Sequence, residues 1–392
     1  MVMIHTLTAY TAEIDDIDAA LRDIQGQLDL DNNLLTHAVG LVSCLPAFVE
    51  TGVIEALAQA LPFEVVGSTT IATTVKGTHD ASLLTLTVLT SDEVEFVTGH
   101  TAPLTAEDEG IIIEGYQGAT GARPDAPSLM FAYAPLLMYA GGDFFIEALT
   151  KASGGVPTFG MVSVDDTPDY HTSQVIFSGA GSSDQLAFVL LYGAVAPKYY
   201  LATISQEKVF KGTGVVTQSA GNQLQTVNDE PVTAFLKELG LTFDASGNLE
   251  GINSFPYIVD YNDGTSPVIR AMFATTPEGY AVCGGDIPIG ATLSVGYFDD
   301  EEILRSTSDK LKEVEIDATM RFAFVFSCVG RYFNLGFAPE REANLVRAKL
   351  DATTIPYQFT YAGGEFCPVH SKADTAALTN RSHNCTFVAC VI

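Results

Sequence analysis

Basic residues are scarce in this chain: nineteen lysines and arginines stand against forty-eight acidic residues in 392, leaving a net charge of −29 at pH 7. The acidic count is ordinary, so the charge comes from missing cations. Such a surface repels phosphate, which argues against nucleic acid or a membrane as a partner and favours solubility. Long apolar runs are also lacking. The longest, Leu186 to Pro197, is too short to span a bilayer and contains Gly193, so it reads as a buried strand. The opening Met1-Val2-Met3-Ile4-His5 has no basic region followed by a sustained apolar stretch, so a cytoplasmic location is expected. The six cysteines follow no framework spacing and are expected to be free, buried thiols. GxGxxG, GxxxxGK[ST] and GxSxG do not occur, and no cofactor is expected.

What the chain does have is a pattern that occurs three times: an apolar strand, an amphipathic helix, a proline and a short second strand. The first copy joins Leu41-Val42-Ser43-Cys44, a helix around Ile54, Leu57 and Leu61, and Pro62 to Gly67. The second joins Ser128 to Tyr133, a helix around Phe145, Ala148, Leu149 and Ala152, and Pro157 to Gly160. The third joins Phe322 to Cys328, a helix around Ala343, Val346 and Leu350, and Pro356 to Gly363. Apolar residues three, four or seven apart give each helix one face for a sheet. Proline closes the helix, and glycine is expected to turn the chain tightly where the second strand stops. Ligand sites in layered α/β domains gather at such strand ends.

Between the units, Ser82 to Thr90 should be a strand, and a helix should lie between the turn signals at 98–100 and 118–127. Asp165 to Asp169 reads as a loop. Gln174 to Phe177 and Gln185 to Gly193 read as a strand pair turning at Ser178-Gly179-Ala180-Gly181, which makes the sheet mixed. Composition changes over 203–233, then a short helix carries Val232, Phe235, Leu236 and Leu239 with Gly240 as its cap. Further strands are expected around Tyr257, Ala271 and Leu293. The expectation is a mixed α/β fold of two related halves, 1–212 and 213–392, with helices packed on mixed sheets.

Phe326-Ser327-Cys328-Val329-Gly330-Arg331 is similar to the "F-S-C-x-G-R" core of the FIST family. Tyr361-Ala362-Gly363-Gly364-Glu365 and His383-Asn384-Cys385-Thr386 resemble "Y-x-x-G-E" and the closing "H-N-x-T". In the first half, Val66-Gly67-Ser68-Thr69-Thr70 looks like "G-S/C-S-T-x-G", and Pro157-Thr158-Phe159-Gly160-Met161 like "P-x-F-G-G". Val216 to Leu224 looks like the "V-T-x-A-x-G-N-x-L" before the second half. The resemblance covers nearly the whole chain in the family's order. It implies an intracellular, non-catalytic sensory module for a small ligand, with amino acids proposed, whose bound state a signalling partner reads. No kinase, cyclase or methyl-accepting segment is evident, so a stand-alone module is expected. Met161 departs from the second glycine of "F-G-G", and Ile71-Ala72 replaces a later glycine, so a ligand of different size or identity from other members is expected.

The residues offer their own chemistry beside this. Arg331 and Glu365 each follow a strand end of the third unit; one could hold a carboxylate and the other an ammonium, as a zwitterion needs. They could equally pair with each other or cap backbone groups. Ser68 and Thr69 offer hydroxyls beside Gly67, or ordinary turn capping. Asp165 could hold an ammonium, or be a solvated loop carboxylate. The motifs add Phe159, Met161 and Asn384. Cys328 could be the nucleophile of a hydrolase or transferase with His383 as base, but no catalytic signature surrounds it and buried packing is preferred. Cys367, His370, His383 and Cys385 have a zinc-like spacing, yet the one-residue gap between His383 and Cys385 would send their side chains to opposite faces of a strand. No metal is expected. A protein-interaction scaffold without a ligand is the remaining alternative.

Overall fold

The computed structural model describes residues 4–392 apart from 81, 122, 168, 337, 339 and 375. Met1-Val2-Met3 of the opening segment and Pro168 of the expected loop therefore lie outside the described residues. The expected mixed α/β architecture is observed, with helices packed on mixed sheets. Among the described residues the strands form four sheets, three of six strands and one of eight.

Each six-stranded sheet is built on one of the three units. Strand His37–Cys44 runs parallel to Val65–Thr69, Leu129–Ala134 to Thr158–Val162, and Ala323–Cys328 to Tyr357–Ala362. The crossovers are the helices Val53–Ala60, Gly142–Ser153 and Glu340–Leu350. Their apolar stripes are buried as the periodicity requires: Ile54 and Leu57, Phe145, Ala148 and Leu149, Ala343, Val346 and Leu350. A return strand then lies antiparallel to the first strand of each unit: Leu84–Ser91, Ala187–Tyr192 and Phe387–Val391. An edge strand closes each sheet, respectively Ile4–Thr11, Glu95–His100 and Lys198–Ala202.

Before each return strand the chain sends a hairpin to a neighbouring sheet. The first unit's hairpin, Thr73–Val75 with Thr78–Asp80, joins the third sheet. The second unit's, Val175–Phe177 with Ala180–Ser182, joins the first sheet, and the third unit's, Gly364–His370 with Leu378–His383, joins the second. The expected pairing of 174–177 with 185–193 is thus replaced. Ser178 and Gly179 both take positive φ (49° and 85°) and close a hairpin of three-residue strands, after which Ala187–Tyr192 enters the second sheet. Gly67 and Gly160 also act differently from the expected tight turn. A Cβ at Gly67 would lie 1.8 Å from the Val42 carbonyl oxygen, and one at Gly160 2.0 Å from that of Ala132. Close approach to the parallel neighbour, not a left-handed turn, demands glycine there.

The fourth sheet is inserted between the third unit's edge strand and its helix Asp300–Glu313. It starts at Gly214–Ala220, includes Tyr257–Asp260, Val268–Arg270, Met272–Thr275 and Thr292–Val295, and carries the expected helix Val232–Glu238. It has its own core around Val216, Leu224, Leu236, Val259 and Leu293.

Strand alternation sends one face of each six-stranded sheet to its helices and the other to a shared centre. Leu41 and Val66, Phe131 and Phe159, and Phe324 and Phe326 meet there. Phe159 stacks on Phe326 with centroids 5.0 Å apart, and Phe131 meets Phe324 edge-on at 5.6 Å. Each such ring contributes about 1.5–3 kcal/mol by burial. No helix among the described residues is long and apolar enough to cross a membrane.

Candidate functional site

The second sheet carries a polar row where its strands end. Met161 is opposite Tyr133 on one side and Glu365 on the other, and Glu365 is opposite His383. Pleating puts these directly opposed residues on one face. The first unit reaches the row through Ser68, whose Oγ donates to Met161 Sδ at 3.4 Å. Phe159, two residues before Met161, forms an apolar wall against Phe326.

Glu365 is fully buried. Its Oε2 accepts from Thr386 Oγ1 at 2.6 Å, while Oε1 has no partner among the described residues. Burial, then the neighbouring Cys328, holds its pKa well above the usual carboxylate range. Cys328 ends the strand Ala323–Cys328 and precedes the helix Val329–Asn334. The Cys385 thiol against it, and then burial, push its pKa up, opposed by the backbone N–H groups of Gly330 and Cys385 aimed at its sulfur. His383 Nε2 lies 3.1 Å from the Cys367 carbonyl oxygen, which can only accept, so Nε2 carries the proton. Burial, then Arg270, lowers the His383 pKa to about 3. Its Nδ1 has no partner, and no hydrogen bond joins it to Cys328 among the described residues. Asn384 Oδ1 and Ser163 Oγ are likewise buried without partners.

The Arg331 guanidinium bonds to the helices Asp300–Glu313 and Glu340–Leu350. Its Nε and Nη2 donate to Glu342 Oε1 at 2.9 and 2.8 Å, and Nη2 also donates to the Ile303 carbonyl at 3.0 Å. Glu342 further accepts from Thr307 Oγ1 at 2.6 Å and Ser327 Oγ at 2.7 Å. The guanidinium lies over the Phe298 ring at 5.2 Å, and Nη1 alone lacks a partner. Sequence reasoning missed Glu342, although 342, 346 and 350 are four apart and share the buried face of their helix.

Two other candidates are closed by local bonds. Thr69 Oγ1 accepts from Gln174 N at 2.8 Å. Asp165 is buried and accepts from the backbone N–H and hydroxyl groups of both Thr167 and Thr172 at 2.5–2.7 Å. Of the zinc-like set, Cys367 lies in the central core while His370 is exposed at the end of its strand. A second buried ion pair was not foreseen: Arg270 Nη2 donates to Asp143 Oδ1 at 2.7 Å, and Nη1 to the Ser382 carbonyl at 2.7 Å. It ties the inserted sheet to the second unit beside the polar row.

The FIST N domain matches residues 38–230 and the FIST C domain residues 232–368. No curated protein matches the chain. Among solved structures, a cyanuric acid hydrolase from A. caulinodans is 10% identical with a TM-score of 0.39, covering 100% of this chain and 99% of its own. A second cyanuric acid hydrolase structure is 11% identical with a TM-score of 0.29, covering 76% of this chain and 100% of its own. With the two domain models matched one after the other along most of its length, the chain belongs to the FIST family.

Proposed function

We propose that this FIST protein is a non-catalytic cytoplasmic sensor whose small polar ligand sits where the second and third units meet, between Arg331 and Glu365. FIST domains are sensory modules in signalling, which sets the class of function. One observation carries the placement. Glu365 Oε1, Arg331 Nη1, Asn384 Oδ1 and Ser163 Oγ are all buried without a partner. Interior polar atoms are otherwise almost always paired, so such atoms favour an added molecule. An amino-acid-like ligand suits them, with its ammonium at Glu365 and its carboxylate at Arg331 Nη1. Ser68, Met161 and Cys328 then border the ligand and Phe159 walls it in, while Thr69 and Asp165 fix the turns behind.

Because strands from both sides of residue 212 share sheets, the 213–392 segment has a movable part only in its inserted sheet. Ligand binding would shift that sheet's placement, and an output protein would read the shift. A thermal-shift screen against amino acids and common metabolites tests this. A ligand at a hundred times its dissociation constant stabilises by about 2.7 kcal/mol. A hit that disappears in Glu365→Gln supports the reading; a flat screen at high ligand concentration removes it.

A further inference from the structure

We infer that Cys328 and Cys385 form a redox couple that a peroxide closes into a reversible disulfide. The inference rests on these two residues and Gly330, and is independent of any ligand. The two thiols lie under one glycine: a Cβ on Gly330 would stand 3.3 Å from the Cys385 sulfur and 3.8 Å from the Cys328 sulfur. Gly330 itself is partly exposed, while Cys328 and Cys385 are each 3% exposed beneath it. Cys328 is bridged to the same turn by its backbone, its N–H donating to the Thr386 carbonyl at 2.9 Å. Cys385 takes a left-handed φ of 55°, a strained choice for a residue with a side chain, which aims its thiol back at Cys328. The Cys385 thiol and burial raise the Cys328 pKa, so the resting sulfur is a thiol; the backbone N–H groups of Gly330 and Cys385 aimed at it lessen that rise.

The other four cysteines differ. Cys44, Cys283, Cys367 and Cys390 are packed into apolar cores at 0–1% exposure. In the reaction, the Cys328 sulfur attacks one peroxide oxygen. The O–O bond breaks, and the leaving hydroxide takes up the thiol proton as water, giving a sulfenic acid. The Cys385 sulfur then attacks that sulfur, the S–O bond breaks, and a second water leaves with the Cys385 proton. Two thiols and one peroxide become one disulfide and two waters, the two electrons passing from sulfur to oxygen. A dithiol reductant reverses it.

The test is hydrogen peroxide treatment of the purified protein, quenching by alkylation under denaturing conditions, and peptide mapping. Two of the six thiols should be lost, both in one cross-linked peptide containing residues 328 and 385, and dithiothreitol should restore them. Gly330→Ala, which puts a methyl over the sulfurs in a helical position, should slow that loss. Cys385→Ser should form no internal cross-link. If that variant does not fold, the wild-type map decides alone. Six alkylated thiols after peroxide, a bridge between other cysteines, or an unchanged rate in Gly330→Ala would overturn the inference.

Discussion

Two buried glutamates of the third unit, Glu342 and Glu365, are held in opposite ways. Glu342 accepts from Arg331, Thr307 and Ser327, and its charge is matched by a guanidinium that is itself fully buried. Among the described residues Glu365 accepts from Thr386, neighbours the Cys328 thiol, has no cation bonded to it, and keeps one oxygen without a partner. The first is a network that holds helices Asp300–Glu313 and Glu340–Leu350 on the third sheet and leaves only Arg331 Nη1 over. The second is an open end. The family motif contains Arg331 and Glu365 alike, yet only geometry separates the brace from the candidate contact. Closed networks identify structure, and buried atoms left over identify where something else belongs.

The largest effect should come from breaking the closed network. Glu342→Ala leaves a fully buried guanidinium uncompensated, and removal of one partner from such a pair costs about 3–5 kcal/mol. Arg331→Ala should cost a similar amount. Glu365→Gln, by contrast, should be at least as stable as the parent at pH 7, because no buried cation loses its partner and the amide does not titrate. Urea unfolding of the three proteins checks this. Equal losses in all three would erase the distinction between the glutamates.

The sequence showed the three strand–helix–strand units because each is written in local spacing: an apolar strand, a helix stripe and a proline within about forty residues. The exchanged hairpins were not legible. Thr73–Val75 finds its partner near residue 360, and no local pattern records such a pairing. The inserted sheet showed as a change of composition, a short helix and strands around Tyr257, Ala271 and Leu293, but not as a separate sheet. At the site, Cys328 is the last residue of its strand, while Arg331 lies in the helix that follows and Glu365 in the strand Gly364–His370. What the Arg331 side chain would meet depended on Glu342, eleven residues on in another helix. Its four-residue spacing to Val346 and Leu350 was visible and marked a buried acid, but nothing tied it to Arg331.

Titration sharpens the comparison at a smaller scale. The folded pKa of Glu365 lies well above its reference of 4.5. The folded state keeps a proton that the unfolded chain has released, so this stability is complete below pH 4.5 and lost as pH rises towards the folded pKa. The slope approaches about 1.4 kcal/mol per pH unit. Glu365→Gln should flatten that decline. His383 has the opposite sign. Its pKa falls from 6.5 to about 3, so its contribution is present above pH 6.5 and lost as pH drops towards 3. His383→Gln should remove the acid-side loss and leave the alkaline side unchanged. Stability measured across pH 4 to 9 separates the two, and a Glu365→Gln curve parallel to the parent would show that Glu365 is ionised in the folded protein.

The smallest test uses one substitution at two serines. Ser327 Oγ donates to Glu342 Oε2 at 2.7 Å and belongs to the closed network. Ser163 Oγ is buried with no partner and belongs to the open one. Ser327→Ala removes a hydrogen bond to a charged group and should cost about 1.5–3 kcal/mol. Ser163→Ala removes an unpaired hydroxyl, so it should be neutral or stabilising by up to about 1 kcal/mol. A ligand that uses Ser163 would reverse the ranking for binding. Ser163→Ala should then weaken the ligand, tenfold for about every 1.4 kcal/mol lost, while Ser327→Ala should leave the affinity of the folded protein unchanged. Equal stability losses at both serines would mean that Ser163 is already satisfied within the folded chain, and that the open end closes without a ligand.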